Sequence, residues 1–224
     1  MKKRTSAIND LLWVMSRLRG PGGCPWDREQ DHMSLRWHAV EEVYELMDAI
    51  EAHDDHELEE ELGDLLLQVV FHCQLANERG AFNFHNVARH IADKLIRRHP
   101  HVFGNTNVKD VDQVWANWEK IKRAEKQGTR HSRPSALDGI PKHLPALLRA
   151  EKLIKKARRA KLANTGQRRR LTRSEVAAAL FDLAQYAQNK GWSAEELLSG
   201  ETRRHERAWR KQEKNLARSV RRHA

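Results

Sequence analysis

The 224 residues, 39% hydrophobic and 32% charged with a formal net charge of +10, suffice for one large domain or two small ones. No run of about 18 apolar residues occurs, the basic start MKKRTSAIND lacks an apolar stretch, and Cys24 and Cys73 stand far apart, so no membrane span, signal peptide, zinc site or disulfide framework is expected and a cytoplasmic protein is. The charge is uneven: residues 1–121 hold 14 Lys and Arg against 21 Asp and Glu, and residues 122–224 hold 27 against 10.

Apolar residues recur at a spacing of three to four, and no alternation of strand type appears. The pattern predicts an all-α chain with helices near 5–19, 34–52, 55–79, 84–98, 111–126, 143–161, 172–190 and 193–217. Breakers separate them. Gly20-Pro21-Gly22-Gly23-Cys24-Pro25 is a rigid turn region. Gly80 follows Arg79 as a helix stop, and Pro100 ends the fourth helix. Gln127–Pro141 reads as a linker and Asn164–Arg170 as a second polar break. The domains expected are 1–126, a linker over 127–142, and 143–224. A faint repeat relates Glu61-Leu-Gly-Asp64-Leu-Leu-Leu to Glu175-Val-Ala-Ala178-Ala-Leu-Phe.

The sharpest pattern lies between Val40 and Val70. Ala52-His53-Asp54-Asp55 connects two helices so briefly that they must be antiparallel neighbours. Measured from the turn, Glu45 and Glu61 lie at one depth, about 12 Å, and Glu42 and Asp64 at another, about 16 Å. Each helix presents its two acids on one face by i,i+3 spacing. The four carboxylates border two apolar stripes, Val40, Val43, Tyr44, Met47 and Ile50 on one helix, and Leu58, Leu62, Leu65, Val69 and Cys73 on the other. They should therefore sit at the edge of the helix interface, partly buried, where like charges repel and a cation must compensate. Oxygen-only ligands suit Mg²⁺ or Mn²⁺. A solvated acidic face would explain the same residues, and spacing alone leaves both readings open. A di-iron bundle would want Glu-x-x-His on two helices; the single copy here, Glu29 to His32, follows a Pro/Gly loop. His53, His56 and His72 are expected in turns and on faces rather than as ligands.

Lys94, Arg97 and Arg98 close the fourth expected helix, and Lys122 follows Trp118-Glu119-Lys120-Ile121. Across a cleft from the acids these cations could hold phosphates. Basic residues are also generally favoured at helix C-termini. No Gly-x-x-x-x-Gly-Lys-Ser/Thr and no Gly-x-Ser-x-Gly occurs, which excludes a P-loop enzyme and a serine hydrolase elbow.

These motifs together resemble the MazG-type nucleoside triphosphate pyrophosphohydrolases. Glu41-Glu42-x-x-Glu45 followed by Glu61-x-x-Asp64 is similar to the family's signature. Gly23-Cys24-Pro25-Trp26-Asp27 resembles its entry motif. Leu95-Ile96-Arg97-Arg98-His99-Pro100-His101-Val102-Phe103, Trp118-Glu119-Lys120-Ile121-Lys122, Ser135–Pro141 and Leu144–Leu147 resemble its later motifs. The resemblance implies an all-α fold with a four-helix core, a homodimer, and Mg²⁺-dependent cleavage of nucleoside triphosphates to monophosphate and pyrophosphate. It implies Glu42, Glu45, Glu61 and Asp64 as metal ligands, with Glu41 behind them or on a second ion. Lys94, Arg97, Arg98 and Lys122 would hold phosphates, and Trp26 would stack on the base.

The C-terminal half departs from the two-domain members of that family. A second Glu-Glu-x-x-Glu is missing between Ala163 and Thr172, and alanine stands at 178 where the motif has aspartate. This shortened, basic half is expected to hold no Mg²⁺. The alternative function is a catalytically weak or inactive relative that binds nucleotide or nucleic acid. Lys155-Lys156, Arg158-Arg159, Arg168-Arg169-Arg170 and Arg221-Arg222 could serve nucleic acid electrostatically. No aromatic interleaving accompanies them, so cations covering a degenerate domain are favoured over a nucleic-acid partner.

Overall fold

A computed structural model describes residues 6–129, 132, 134–163 and 170–222, with the backbone alone for Arg123 and for 218–222. Every regular element among the described residues is a helix, which bears out the all-α expectation. In chain order these are α1 (Ala7–Arg19), α2 (Pro25–Glu29), α3 (His38–Ala52), α4 (Asp55–Glu78), α5 (Phe84–Arg98), α6 (Pro100–Phe103), α7 (Val111–Ala124), α8 (Ala146–Arg159), α9 (Arg173–Asn189) and α10 (Ala194–Arg222). No helix among the described residues is long and apolar enough to cross a membrane. By packing, the chain divides into two compact units, Met1–Trp118 and Glu119–Ala224, and the boundary falls inside α7.

The first unit is organised around α4, against which α1, α3 and α5 pack. Met15 of α1, Leu35, and Val70, Phe71 and Leu75 of α4 form its buried core, with Leu11, Leu12, Leu67 and Phe84 packed on it. Fully burying such a side chain contributes roughly 1.5–3 kcal/mol, so this cluster fixes where α4 lies. Ser6 caps α1 by accepting from the Asn9 amide. The chain then reverses through Gly20–Gly23. A Cβ on Gly23 would lie 2.1 Å from the Leu18 carbonyl oxygen, so only glycine fits there.

Proline residues taken as breakers also start helices. Pro25 opens α2 and Pro100 opens α6, each within the first turn, where a missing N–H costs nothing. Residues 32–37 form turns, so the helix expected from 34 starts at His38. The helix expected from 143 starts at Ala146, behind Pro145.

The second unit buries Leu137, Leu153, Ala157 and Leu162, with Trp209 packed against them. Helices α8 and α9 each pack on α10. Of the expected linker, Arg130, His131 and Arg133 lie outside the described residues, as do residues 164–169 of the second polar break.

Candidate functional site

The turn between α3 and α4 sets the register of the site. His53 ends α3 in the left-handed conformation (φ 55°), and its N–H reaches back to the Ala49 and Ile50 carbonyls. Asp54 then caps α4 by accepting from the His56 and Glu57 amides. So tight a reversal keeps equal depths on the two helices side by side. Carboxylate oxygens of Glu42, Glu45 and Glu61 all lie within 4.8 Å of one another. Glu42 and Glu61 are half-buried and Glu45 is exposed. Asp64, also half-buried, stands outside that triplet, yet its charge acts on both Glu42 and Glu61.

Burial, opposed by a hydrogen bond from Gln68, and repulsion from Asp64, Glu45 and Glu41 leave the Glu42 carboxyl above the usual range. Burial and repulsion from Glu45, Asp64, Glu42 and Glu60 raise Glu61 likewise. Glu61 Oε2 is buried with no hydrogen-bond partner among the described residues. A buried, unpaired acceptor among raised carboxylates is costly unless a cation meets it. The donor set is all oxygen, which fits a hard divalent ion. Glu41 is directed elsewhere: exposed, it lies 3.7 Å from the ring of His38.

The apolar stripes expected to fill the α3–α4 interface do so only in part. Val40, Val43, Tyr44, Met47, Ile50, Leu62 and Val69 each keep more than a third of their surface exposed.

The remaining expected site residues are spread out. Trp26 is half exposed and makes edge contacts with His38, at the start of α3, and with Phe71. At the end of α5 the Arg98 guanidinium lies over the Trp118 ring, 5.2 Å from its centroid, and His99 meets the same ring at 5.0 Å. Lys94 is half-buried and Arg97 exposed on the same helix. Lys122 belongs to the second unit, where it pairs with Glu119 at 3.1 Å.

Four further residues bear on the site or on the faint repeat. Gln68 is buried and donates from Nε2 to Glu42 Oε1 at 3.2 Å. Its signal in the sequence is that it alone is polar in the run Leu65–Phe71. His32 and His72 stack, with their Nδ1 atoms 2.9 Å apart, which takes His32 away from any pairing with Glu29. Burial and its His32 neighbour hold His72 below the ordinary histidine range. Glu175, the repeat's counterpart of Glu61, accepts from the Thr172 amide and hydroxyl in a capping box that starts α9.

Several cations of the second unit act inside it. Lys156 donates to the Asp138 carbonyl, Arg210 bonds Asp138 and Glu206, and buried Arg149 bonds Glu206 at 2.5 Å. Arg168, Arg169 and the side chains of Arg221 and Arg222 lie outside the described residues.

Residues 30–103 match the family model of the MazG nucleotide pyrophosphohydrolase domain. The chain carries a MazG domain. It contains all five candidate acids together with Lys94, Arg97 and Arg98; Trp26 precedes it and Lys122 follows it. The chain is 49% identical over 151 residues to a protein of Escherichia coli K12 named nucleoside triphosphate pyrophosphohydrolase, covering 66% of this chain and 56% of that one. A Thermotoga maritima protein named nucleoside triphosphate pyrophosphohydrolase/pyrophosphatase MazG is 45% identical over 157 residues, 70% of this chain and 59% of its own. An uncharacterised Bacillus subtilis protein, YabN, is 49% identical over 142 residues, 63% of this chain and 28% of its own. The chain thus spans at most about three fifths of the length of these relatives.

Proposed function

We propose that the chain hydrolyses nucleoside triphosphates to nucleoside monophosphate and pyrophosphate, with Mg²⁺ held by Glu42, Glu45, Glu61 and Asp64. The observation that carries this reading is that carboxylate oxygens of Glu42, Glu45 and Glu61 lie within 4.8 Å of one another, while Glu61 Oε2 is buried without a hydrogen-bond partner among the described residues. The names of the Escherichia coli and Thermotoga maritima relatives support the same reaction.

When bound, the ion would offset the charge of acids and triphosphate and polarise the phosphoryl group under attack; Mn²⁺ offers the same chemistry. The chain's own residues do the rest. A carboxylate of the cluster takes the proton of the attacking water. The water's oxygen joins phosphorus, the bond between the α and β phosphates breaks, and pyrophosphate departs. Lys94, Arg97 and Arg98 counter the charge that grows on it. The exposed face of Trp26 offers a stacking surface for the base. Glu41, turned toward His38, acts on the cluster only through its charge on Glu42.

Val40, Val43, Tyr44, Met47 and Ile50 of α3 and Leu62, Leu66 and Val69 of α4 leave much apolar surface exposed, and exposed apolar surface on this scale marks interfaces. A second copy of the chain covers it in this reading, giving a homodimer.

The test is a panel of nucleoside triphosphates with Mg²⁺, reading monophosphate and pyrophosphate separately. Glu45→Ala and Asp64→Ala should each abolish pyrophosphate release and leave helix content intact. Undiminished turnover in both variants rejects the assignment.

A further inference from the structure

We propose that Gln68 is a positioning residue that holds Glu42 in the carboxylate cluster and thereby sets the cluster's affinity for its divalent cation. The inference rests on the function proposed above and adds a residue to it.

The argument begins with place. Gln68 lies four residues after Asp64 and seven after Glu61, so all three share one face of α4. Leu65, Leu66, Leu67, Val69, Val70 and Phe71 surround it in sequence, and it is only 7% exposed. An apolar side chain would continue that run and bury more cheaply than an amide. The amide has one visible use, its Nε2 donation to Glu42 Oε1 across the two helices. The opposite amide orientation would put oxygen against an ionised carboxylate, so the donor must face Glu42. Gln68 Oε1, at the other end, is buried without a protein partner among the described residues. The amide is therefore held by Glu42 and by packing, and an acceptor beside the cluster is left for a donor that arrives with the ligand.

Its chemistry suits the task. An Arg or Lys at this place would neutralise the acids and compete with the cation. A Glu would add to the repulsion that already acts on Glu42 and Glu61. A neutral donor orients one carboxylate and leaves the cluster's charge for the metal. Outer residues that orient metal ligands typically control affinity by 10- to 100-fold.

The experiment measures Mn²⁺ binding to the full chain by electron paramagnetic resonance, without nucleotide. Gln68→Met, of similar length but with no donor, should bind Mn²⁺ about tenfold more weakly at unchanged helix content. Pyrophosphate release by that variant should return toward the wild-type maximum when Mg²⁺ is raised about tenfold. If Gln68 works through Glu42, Gln68→Met added to Glu42→Ala should change Mn²⁺ affinity no further. Should Gln68→Met not fold, Gln68→Asn keeps the amide but cannot reach Glu42, and the same weakening is expected of it. Wild-type affinity in the folded variant overturns the proposal, and so does an effect that persists undiminished in the Glu42→Ala background. A wild-type chain that takes up no Mn²⁺ overturns it as well. A chain that binds Mn²⁺, responds to Gln68→Met, yet releases no pyrophosphate overturns the hydrolase reading alone and leaves the role of Gln68 standing.

Discussion

Arg19, the last residue of α1, grips Glu78, the last residue of α4, through two hydrogen bonds of 2.7 Å. The same guanidinium donates to the Asp27 and Gln30 carbonyls and lies over the Phe71 ring. It thus fastens the segment that carries Trp26 to the helix that carries Glu61 and Asp64.

Arg19→Ala should therefore destabilise the first unit by about 2–3 kcal/mol, the usual range for a hydrogen-bonded charge with little solvent access. The Arg19 pairing, against a smaller effect of burial, holds the Glu78 carboxyl below its ordinary value of 4.5. A depressed folded pKa stabilises above the unfolded value, and that stabilisation fades as pH falls through the folded one. Urea unfolding of both proteins should show their difference shrinking below about pH 4.5. An unchanged difference at acid pH would exclude the ion pair as its source.

The cluster acids have the opposite sign. Glu42 and Glu61 have folded pKa values raised above 4.5, so the metal-free fold binds protons more readily than the unfolded chain. Its stability should rise as pH falls through the raised values toward the unfolded one, the reverse of the Glu78 effect. Glu61→Gln should melt higher than wild type at neutral pH without metal, with a weaker pH dependence. Mg²⁺ at about a hundred times its Kd should stabilise wild type by about 2.7 kcal/mol and Glu61→Gln by much less. Equal Mg²⁺ shifts in the two melting curves would remove Glu61 from the metal site.

In the second unit, Arg149 bonds Glu206, while its Nε and Nη1 are buried without partners among the described residues. Glu206→Ala strands that guanidinium and should cost roughly 3 kcal/mol, as breaking a buried pair does. Arg149→Met removes the buried charge and leaves Glu206 still paired with Arg210, so it should cost less. Denaturant unfolding that ranks the two variants the other way would contradict this account.

The exposed stripe on α3 yields a test of assembly. Met47→Arg and Ile50→Arg together put two charges on a face that would lie against a second copy. Light scattering after gel filtration should then report one chain of 26.1 kDa where wild type gives twice that mass. A wild-type mass equal to one chain would remove the homodimer.

The helices were readable because their apolar period survives single substitutions. The acids of α3 and α4 were readable because a short turn converts sequence distance directly into depth. Contacts that close long loops were not. Gln68 meets Glu42 across 26 residues and Arg19 meets Glu78 across 59, and no local pattern encodes either. Helices α2 and α6 were missed because Pro25 and Pro100 read equally well as an end and as a beginning. The apolar stripe of α3 reads in the sequence as interface with α4, since periodicity identifies an apolar face and says nothing of what lies against it.

The Thr172–Glu175 box has a consequence for any attempt to build a metal-binding pair of acids on α9. Ala178→Asp alone would supply a lone acid, because its natural companion already serves as the latch that starts α9. Freeing Glu175 for a metal would unlatch the helix, at about 1 kcal/mol for a lost cap. Repair of this half must begin by giving α9 another way to start.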